Sequence, residues 1–139
     1  MSKTTVVADS SGLISLVSAT DQNHQKAIEI GQVLTQEHGT ILIPSDVFSE
    51  TLNIAGKKLD HQAALGTAET LYSTNPFLIV DSNEKIRQQA LSILKNQPES
   101  VSFTDCIVMA TADSFDTKEI FGFDETFKKN GYIRLGIDS

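Results

Sequence analysis

The chain is poor in several residue types, and each shortage narrows what the protein can be. Its 139 residues include one cysteine and no tryptophan. No disulfide can form within the chain, and we expect the lone thiol, Cys106 in an apolar run, to be a small buried side chain. No apolar run approaches the length of a bilayer-spanning helix, and the N-terminus lacks a basic start followed by an apolar run. We therefore expect no membrane span, no secretory signal and a cytoplasmic location.

Basic residues are also scarce. Eleven lysines and arginines stand against 18 acidic residues, which gives a formal net charge of −7. This balance argues against general nucleic-acid binding but is compatible with an enzyme that holds cations. The three histidines, His24, His38 and His61, have no metal-ligand spacing, and zinc is therefore disfavoured. The length and the ordinary hydrophobic share of 40% predict one domain over residues 1–139.

Short apolar strands alternate with helices along the chain. The predicted strands are Thr4–Ala8, Thr40–Ile43, Phe77–Val80, Lys118–Phe121 and Tyr132–Leu135. The predicted helices are Leu13–Val17 after a turn at Ser10–Gly12, Gln22–Glu37 with Asp21 as its cap, Ser45–Ala55 ended by Gly56, Asp60–Ser73, a helix capped by Asp81 or Ser82 and ending near Asn96, Thr104–Ala112, and Glu125–Lys129. This alternation predicts a three-layer α/β/α fold with a parallel sheet and helices on both faces.

Three aspartates stand where helices begin. Asp9 ends the first strand, at the edge where open α/β sheets bind ligands. Asp105 follows Ser102 at the spacing of a capping box, and Asp124 precedes a short helix. Taken singly, each is explained as well by a helix cap as by a functional role.

Glu50 is different because it lies in the middle of a predicted helix, where capping cannot explain it. It shares a helix face with Val47 and Ile54, and no basic residue stands three or four positions away. A carboxylate among apolar neighbours needs a partner or a cation. Four converging carboxylates would repel one another unless some are protonated or the group binds a cation, and oxygen ligands suit Mg²⁺ or Mn²⁺.

Four segments together resemble a known family: VVADSSGLISL, IPSDVFSETLN, SFTDCIVMATA and FGFDETFKKNGYIRL. They are similar to the PIN-domain ribonucleases, most of all to the VapC-type toxins of bacterial toxin–antitoxin pairs. The resemblance covers essentially the whole chain and implies a five-stranded parallel sheet in the order 3-2-1-4-5. It assigns catalytic and metal-binding roles to the four acids Asp9, Glu50, Asp105 and Asp124. Either Ser10 or Ser11 would supply a small hydroxyl beside the first aspartate, and Thr104 would be a further polar lining residue.

The resemblance also implies an activity and partners. The protein would be a metal-dependent endoribonuclease that uses one or two Mg²⁺ or Mn²⁺ ions to hydrolyse RNA. It would form a homodimer and be held inactive by a small antitoxin protein. Two lysine pairs, Lys57–Lys58 and Lys128–Lys129, could steer RNA phosphates, although solvated surface lysines explain them equally well.

Two alternatives stay open from the sequence. One is a PIN-like domain that binds RNA or a protein partner without catalysis. The other is a phosphoacceptor signalling domain with Asp81 as the acceptor, which would need paired acids after the first strand and a lysine after the last. Ser10 follows Asp9 instead, and Gly136 follows Leu135. A haloacid-dehalogenase-type phosphatase would need an aspartate where Ser11 stands.

Overall fold

The computed structural model describes residues 4–139, which form five strands and seven helices. The elements are β1 (Thr5–Ala8), α1 (Ser10–Val17), α2 (His24–Gln36), β2 (Thr40–Pro44), α3 (Ser45–Lys58), α4 (His61–Ser73), β3 (Phe77–Val80), α5 (Glu84–Leu94), α6 (Phe103–Ser114), β4 (Glu119–Phe121), α7 (Glu125–Lys129) and β5 (Ile133–Arg134). Each predicted strand and helix is present, with ends that differ by a few residues.

The five strands form one sheet in the order β3-β2-β1-β4-β5, and the pairings between these strands are parallel. Both the order and the parallel pairing were predicted. Strand β1 lies in the centre, where Val7 is paired with Leu42 of β2 on one side and Ile120 of β4 on the other. Because parallel strands end at the same edge, the residue after β1 and the residues after β4 meet there.

The core lies between the sheet and its helices, as expected for the α/β/α fold. The interior of β1 is fully buried, and so are nearly all residues of α6 from Cys106 to Ala112. Helix α6 packs on β1, β2 and α5, whereas α1 packs on α2 and α3 and α3 packs on α4. Burial of Cys106 confirms its interpretation as a core side chain. Within residues 4–139, no helix is long and apolar enough to cross a membrane.

The predicted turn at Ser10–Gly12 is wrong, because α1 begins directly at Ser10. Asp9 provides the cap by accepting a hydrogen bond from the Ser11 main chain, so no separate turn is needed before the helix. Gly12 serves another purpose: a side chain there would collide with the main-chain carbonyl of Phe121. Its role is close packing between α1 and β4.

The predicted caps of α2 and α5 are also wrong. Asp21 does not cap α2, which starts at His24; its carboxylate instead accepts hydrogen bonds from the Ser15 hydroxyl and the Asn23 main chain. Asn83 caps α5 in place of Asp81 or Ser82, by accepting a hydrogen bond from the main chain three residues later.

Helix α3 begins at Ser45, as predicted, but ends later than predicted. The residue at its N-terminal cap position is Pro44, which makes no side-chain hydrogen bond. Gly56 does not end the helix, which continues to Lys58, since glycine weakens a helix without breaking it when neighbouring residues support the turn. The extension keeps Lys57 in helical register with Glu50.

Candidate active site

Asp9 is the most deeply buried of the four acids, with 4% of its surface exposed. Its Oδ2 accepts hydrogen bonds from the Ser11 main chain at 3.3 Å and from the Ser11 hydroxyl at 2.8 Å. Burial raises the pKa of Asp9 to about 6, and the negative charges of Asp105 and Glu50 add to the rise, while the Ser11 hydrogen bonds oppose it. Burial is thus the main cause of the shift, and the charges of Asp105 and Glu50 add to it.

The end of β4 packs tightly against the end of β1. The main chain of Asp9 donates a hydrogen bond to the Phe121 carbonyl at 3.0 Å, and Phe123 donates one to the Ser11 hydroxyl at 3.0 Å. Gly122 lies so close that a Cβ there would be 2.9 Å from the Cβ of Asp9. These contacts hold the residues that precede Asp124 beside Asp9.

Glu50 lies half-buried on α3, and its Oε1 accepts a hydrogen bond of 2.6 Å from the Ser10 hydroxyl. This bond is the partner that the apolar surroundings of Glu50 required. Ser10 and Ser11 therefore divide the role that the sequence left open between them. Ser11 holds Asp9, and Ser10 holds Glu50.

The other two acids are helix caps as well as candidate ligands. Asp105 and Ser102 form the predicted capping box at the start of α6. Burial raises the pKa of Asp105, and the charges of Asp124 and Glu50 also raise it, against the lowering effect of the Ser102 hydrogen bonds. Asp124 caps α7 by accepting a hydrogen bond from Thr126, and it is exposed. The cap and the ligand role are therefore compatible at these positions.

The four acids share one feature of hydrogen bonding. Each is anchored through a single carboxylate oxygen: Oδ2 of Asp9, Oε1 of Glu50, Oδ2 of Asp105 and Oδ1 of Asp124. Among the described residues, no group donates a hydrogen bond to the second oxygen of any of them. Each carboxylate is thus oriented by the protein and keeps one oxygen for a further ligand.

This donor set fits a hard divalent cation, although the acids do not already form a compact coordination group. Across residues 4–139, no three histidine, cysteine, aspartate or glutamate side chains are placed so that they could hold a metal ion together. Carboxylate and hydroxyl oxygens are nevertheless the ligands that Mg²⁺ and Mn²⁺ prefer. The electrostatic coupling of Asp9 to Asp105 and Glu50 shows carboxylates that a cation would relieve of mutual repulsion.

A shallow cleft of about 530 Å³ runs along α3 beside Glu50. Its lining comprises Asp46, Ser49, Glu50, Asn53, Ile54, Lys57 and Thr104. Thr104 and Glu50 therefore line the same cleft. The lining includes Lys57 but not its neighbour Lys58. Lys129, on α7, is 4.0 Å from Glu125 in an exposed ion pair, and Lys128 is exposed on the same helix.

Two depressions at the other end of the sheet carry no acidic side chain. They have volumes of about 550 and 580 Å³ and lie near Pro76. Asp81 is exposed after the edge strand β3, which is separated from β1 by β2. The phosphoacceptor alternative therefore lacks a cluster of acids around its proposed acceptor.

Comparison with known proteins agrees with this geometry. A family model described as the PIN domain matches residues 6–131. The chain belongs to the PIN-domain family. No curated protein matches it in sequence.

Two solved structures share the fold of this PIN domain. One is VapC20 from Mycobacterium tuberculosis, a toxin that cleaves the sarcin–ricin loop, with a TM-score of 0.82 and 19% identity; the match covers 94% of this chain and 98% of VapC20. The other is VapBC2 from Rickettsia felis, bound to a DNA fragment from its promoter, with a TM-score of 0.66, 14% identity and coverage of 90% and 92%.

Sequence reasoning missed one residue beside the PIN-domain acids. Arg134 donates a hydrogen bond to the carbonyl of Phe123 at 3.0 Å and forms an ion pair with Asp138 at 3.0 Å. The only signal in the sequence was the spacing of four residues between opposite charges. That spacing does not reveal the contact between Arg134 and the Phe123 carbonyl, because this contact depends on how β5 packs beside the loop after β4.

Proposed function

We propose that this PIN domain is a metal-dependent endoribonuclease and that it acts as the toxin of a toxin–antitoxin pair. The observation that carries the proposal is the set of four carboxylates, Asp9, Glu50, Asp105 and Asp124, each anchored through one oxygen with the other left available. They would hold one or two Mg²⁺ or Mn²⁺ ions. When bound, such ions activate a water for attack on the phosphodiester and stabilise the charge of the transition state.

The residues of the chain would divide the work by position. Asp9 is the innermost ligand, and Ser11 favours its ionised form by donating two hydrogen bonds to it. Ser10 fixes the rotamer of Glu50, and the first turn of α6 fixes Asp105. These hydrogen bonds reduce the freedom that each carboxylate would lose when it binds a cation. No protein nucleophile is required, since one of the acids can accept the proton from the water.

An acidic protein still has to attract RNA. Lys57 lies in the same cleft as Glu50 and Thr104 and is the best-placed of the four candidate lysines. A bound cation would also offset part of the negative charge around the carboxylates. The aromatic side chains are few, with no tryptophan and two tyrosines, so we propose recognition through RNA shape and backbone contacts.

Cleavage of RNA tests the nuclease proposal directly. The purified protein should cleave a broad RNA pool in Mn²⁺ or Mg²⁺ and lose this activity in EDTA. Asp9→Asn and Asp105→Asn should each abolish cleavage, whereas Asp81→Asn serves as the matched control because Asp81 is an exposed acid at the end of the edge strand. Intact RNA with the wild type, together with no divalent binding by isothermal titration, would instead favour the non-catalytic PIN-like domain.

The toxin part of the proposal rests on the shared fold. VapC20 is a toxin that cleaves RNA, and VapBC2 is a toxin–antitoxin complex; by analogy we propose a small antitoxin partner, a homodimer and action in the cytoplasm. Expression of the wild type should arrest growth, and Asp9→Asn should prevent the arrest. A short neighbouring reading frame should encode a protein that co-purifies with the toxin. Normal growth and the absence of such a partner would indicate a solitary nuclease.

A further inference from the structure

Arg134, at the end of β5, forms a bidentate ion pair with the carboxylate of Asp138. Its Nε lies 3.0 Å from Oδ2, its Nη2 lies 3.0 Å from Oδ1, and its main-chain nitrogen also donates to Oδ2 at 3.0 Å. Each of the two side chains is only 12% exposed. The remaining guanidinium nitrogen, Nη1, donates a hydrogen bond of 3.0 Å to the carbonyl of Phe123.

This arrangement differs from an ordinary surface ion pair. A bidentate arginine–carboxylate pair fixes the guanidinium plane. The exposed pair Lys129–Glu125 has the same spacing of four residues, but its atoms are 4.0 Å apart and both side chains are more than 70% exposed. Arg134 is therefore a rigid donor, whereas Lys129 is a solvated charge.

The main chain of Phe123 connects this donor to the candidate active site. Its carbonyl accepts the hydrogen bond from Arg134, and its N–H donates to the Ser11 hydroxyl at 3.0 Å. That hydroxyl donates to Oδ2 of Asp9 at 2.8 Å. Three consecutive hydrogen bonds thus lead from the guanidinium to the innermost acid. Asp124, the outermost acid, is the next residue along the chain.

We propose that Arg134 is a positioning residue for the acid cluster. By holding the Phe123 carbonyl, it keeps this residue where its N–H can donate to the Ser11 hydroxyl, and it sets the place of Asp124, which follows that carbonyl in the chain. Asp138 acts one step further away by holding the guanidinium in the required plane. The assignment rests on the proposed function in so far as the acids bind a metal ion, but its structural core is independent of catalysis.

Amide exchange measured by NMR tests that structural core. Arg134→Gln should accelerate exchange of the Phe123 amide by about tenfold or more relative to Val7 in the centre of β1. Loss of the charged hydrogen bond to the Phe123 carbonyl lets this residue move, and its N–H then opens more often from the Ser11 hydroxyl. Asp138→Asn should give a smaller acceleration, and Arg134→Lys should restore part of the protection. Lys129→Gln is the matched control for this measurement, since it removes a charge from the neighbouring helix, where Lys129 pairs with Glu125, and it should leave the exchange of the Phe123 amide unchanged.

Mn²⁺ affinity tests the consequence for the acids. Isothermal titration should give a dissociation constant that is roughly 10- to 100-fold weaker in Arg134→Gln than in the wild type, which is the usual effect of removing a residue that orients metal ligands. Lys129→Gln should bind Mn²⁺ as the wild type does. A variant that is merely less stable would lose thermal stability and still keep its affinity in the folded state.

The outcomes separate this inference from the proposed function. Wild-type protein that cleaves no RNA would refute the nuclease proposal, while faster Phe123 exchange in Arg134→Gln would still support the positioning role. The inference would be overturned if Arg134→Gln had the same Phe123 exchange rate and the same Mn²⁺ affinity as Lys129→Gln. This holds whether or not the protein cleaves RNA. If Arg134→Gln does not fold, Asp138→Asn, which retains the arginine, replaces it. Faster Phe123 exchange in this variant supports the positioning role, and exchange equal to that in Lys129→Gln overturns it.

Discussion

Replacement of Asp9 by asparagine should stabilise the metal-free protein at neutral pH while abolishing its binding of divalent metal. Asparagine resembles the protonated aspartate in shape, and its side-chain carbonyl can still accept the hydrogen bonds from Ser11. It lacks the charge that burial and the neighbouring acids disfavour. The aspartate that we propose as a metal ligand would thus lower the free energy of unfolding of the metal-free protein.

The size of the effect follows from the pKa of Asp9. A rise from 3.8 to about 6 corresponds to roughly 3 kcal/mol. The folded state holds the proton more tightly than the unfolded chain, so the stabilisation from the protonated form is fully present below pH 3.8 and is lost as the pH rises through about 6. Asparagine has no charge to ionise, and the variant should gain up to roughly 3 kcal/mol over the wild type at pH 7.5.

Urea denaturation in EDTA at two pH values measures this difference. At pH 7.5 the free energy of unfolding of Asp9→Asn should exceed that of the wild type, and at pH 4 the gap should shrink to below roughly 1 kcal/mol. Addition of Mn²⁺ should raise the stability of the wild type but not of the variant. Asp60→Asn is the control, because Asp60 is an exposed cap that accepts a hydrogen bond from Ala63 and is distant in sequence from the acids.

Two results would refute this reasoning. If Asp9→Asn is less stable than the wild type by the same amount at both pH values, Asp9 acts as an ordinary cap whose charge is not strained. If Mn²⁺ stabilises the variant as much as the wild type, Asp9 is not a metal ligand. Either result would also weaken the proposed arrangement around Glu50 and Asp105.

Three further predictions concern other positions. Gly122→Ala should lower both stability and Mn²⁺ affinity, because the added Cβ would lie 2.9 Å from the Cβ of Asp9. Gly66→Ala is the control, because the space around Gly66 in α4 is open, and it should raise the free energy of unfolding in urea by up to ~1 kcal/mol. Thr51→Val should stabilise by about 1 kcal/mol in the same assay, since the Thr51 hydroxyl is buried with no partner among the described residues; a loss of stability would reveal an unseen partner. Lys57→Gln should weaken binding of a single-stranded RNA in fluorescence anisotropy and lower the salt dependence by about 0.7 in log–log slope, whereas Lys58→Gln, outside the cleft, should have a smaller effect; equal effects would contradict a role for the cleft.

The architecture was predictable because its signals are local. Alternating apolar strands and helices fix a parallel α/β fold, and the family resemblance supplies the sheet order that the structure has. Glu50 was expected to need a partner because no cap or neighbouring charge explained it, and the structure gives it a hydrogen bond from Ser10. The capping box of Ser102 and Asp105 was visible in the spacing of the two residues, and the structure contains it.

The misses have a common physical cause. Several residues of similar chemistry compete for each helix start, and tertiary contacts decide which of them acts. Asp21 bonds to Ser15 instead of capping α2, and Asn83 displaces Asp81 at α5. The division of work between Ser10 and Ser11 was undecidable from the sequence for the same reason, since it depends on where α3 lies relative to α1. The metal itself stays a prediction.

The place of β1 in the middle of the sheet has a consequence for protein synthesis. Strand β2 follows within 40 residues and pairs with one edge of β1. The other edge stays unpaired until β4 has been synthesised, because the Asp9 main chain donates its hydrogen bond to the carbonyl of Phe121 in β4. A nascent chain that has not reached residue 121 therefore cannot complete the pocket around Asp9, and Asp124 is added later still. The last of the four acids is therefore synthesised after all of the strands from β1 to β4. If the protein cleaves RNA as proposed, its four acids cannot come together until β4 and Asp124 have been synthesised.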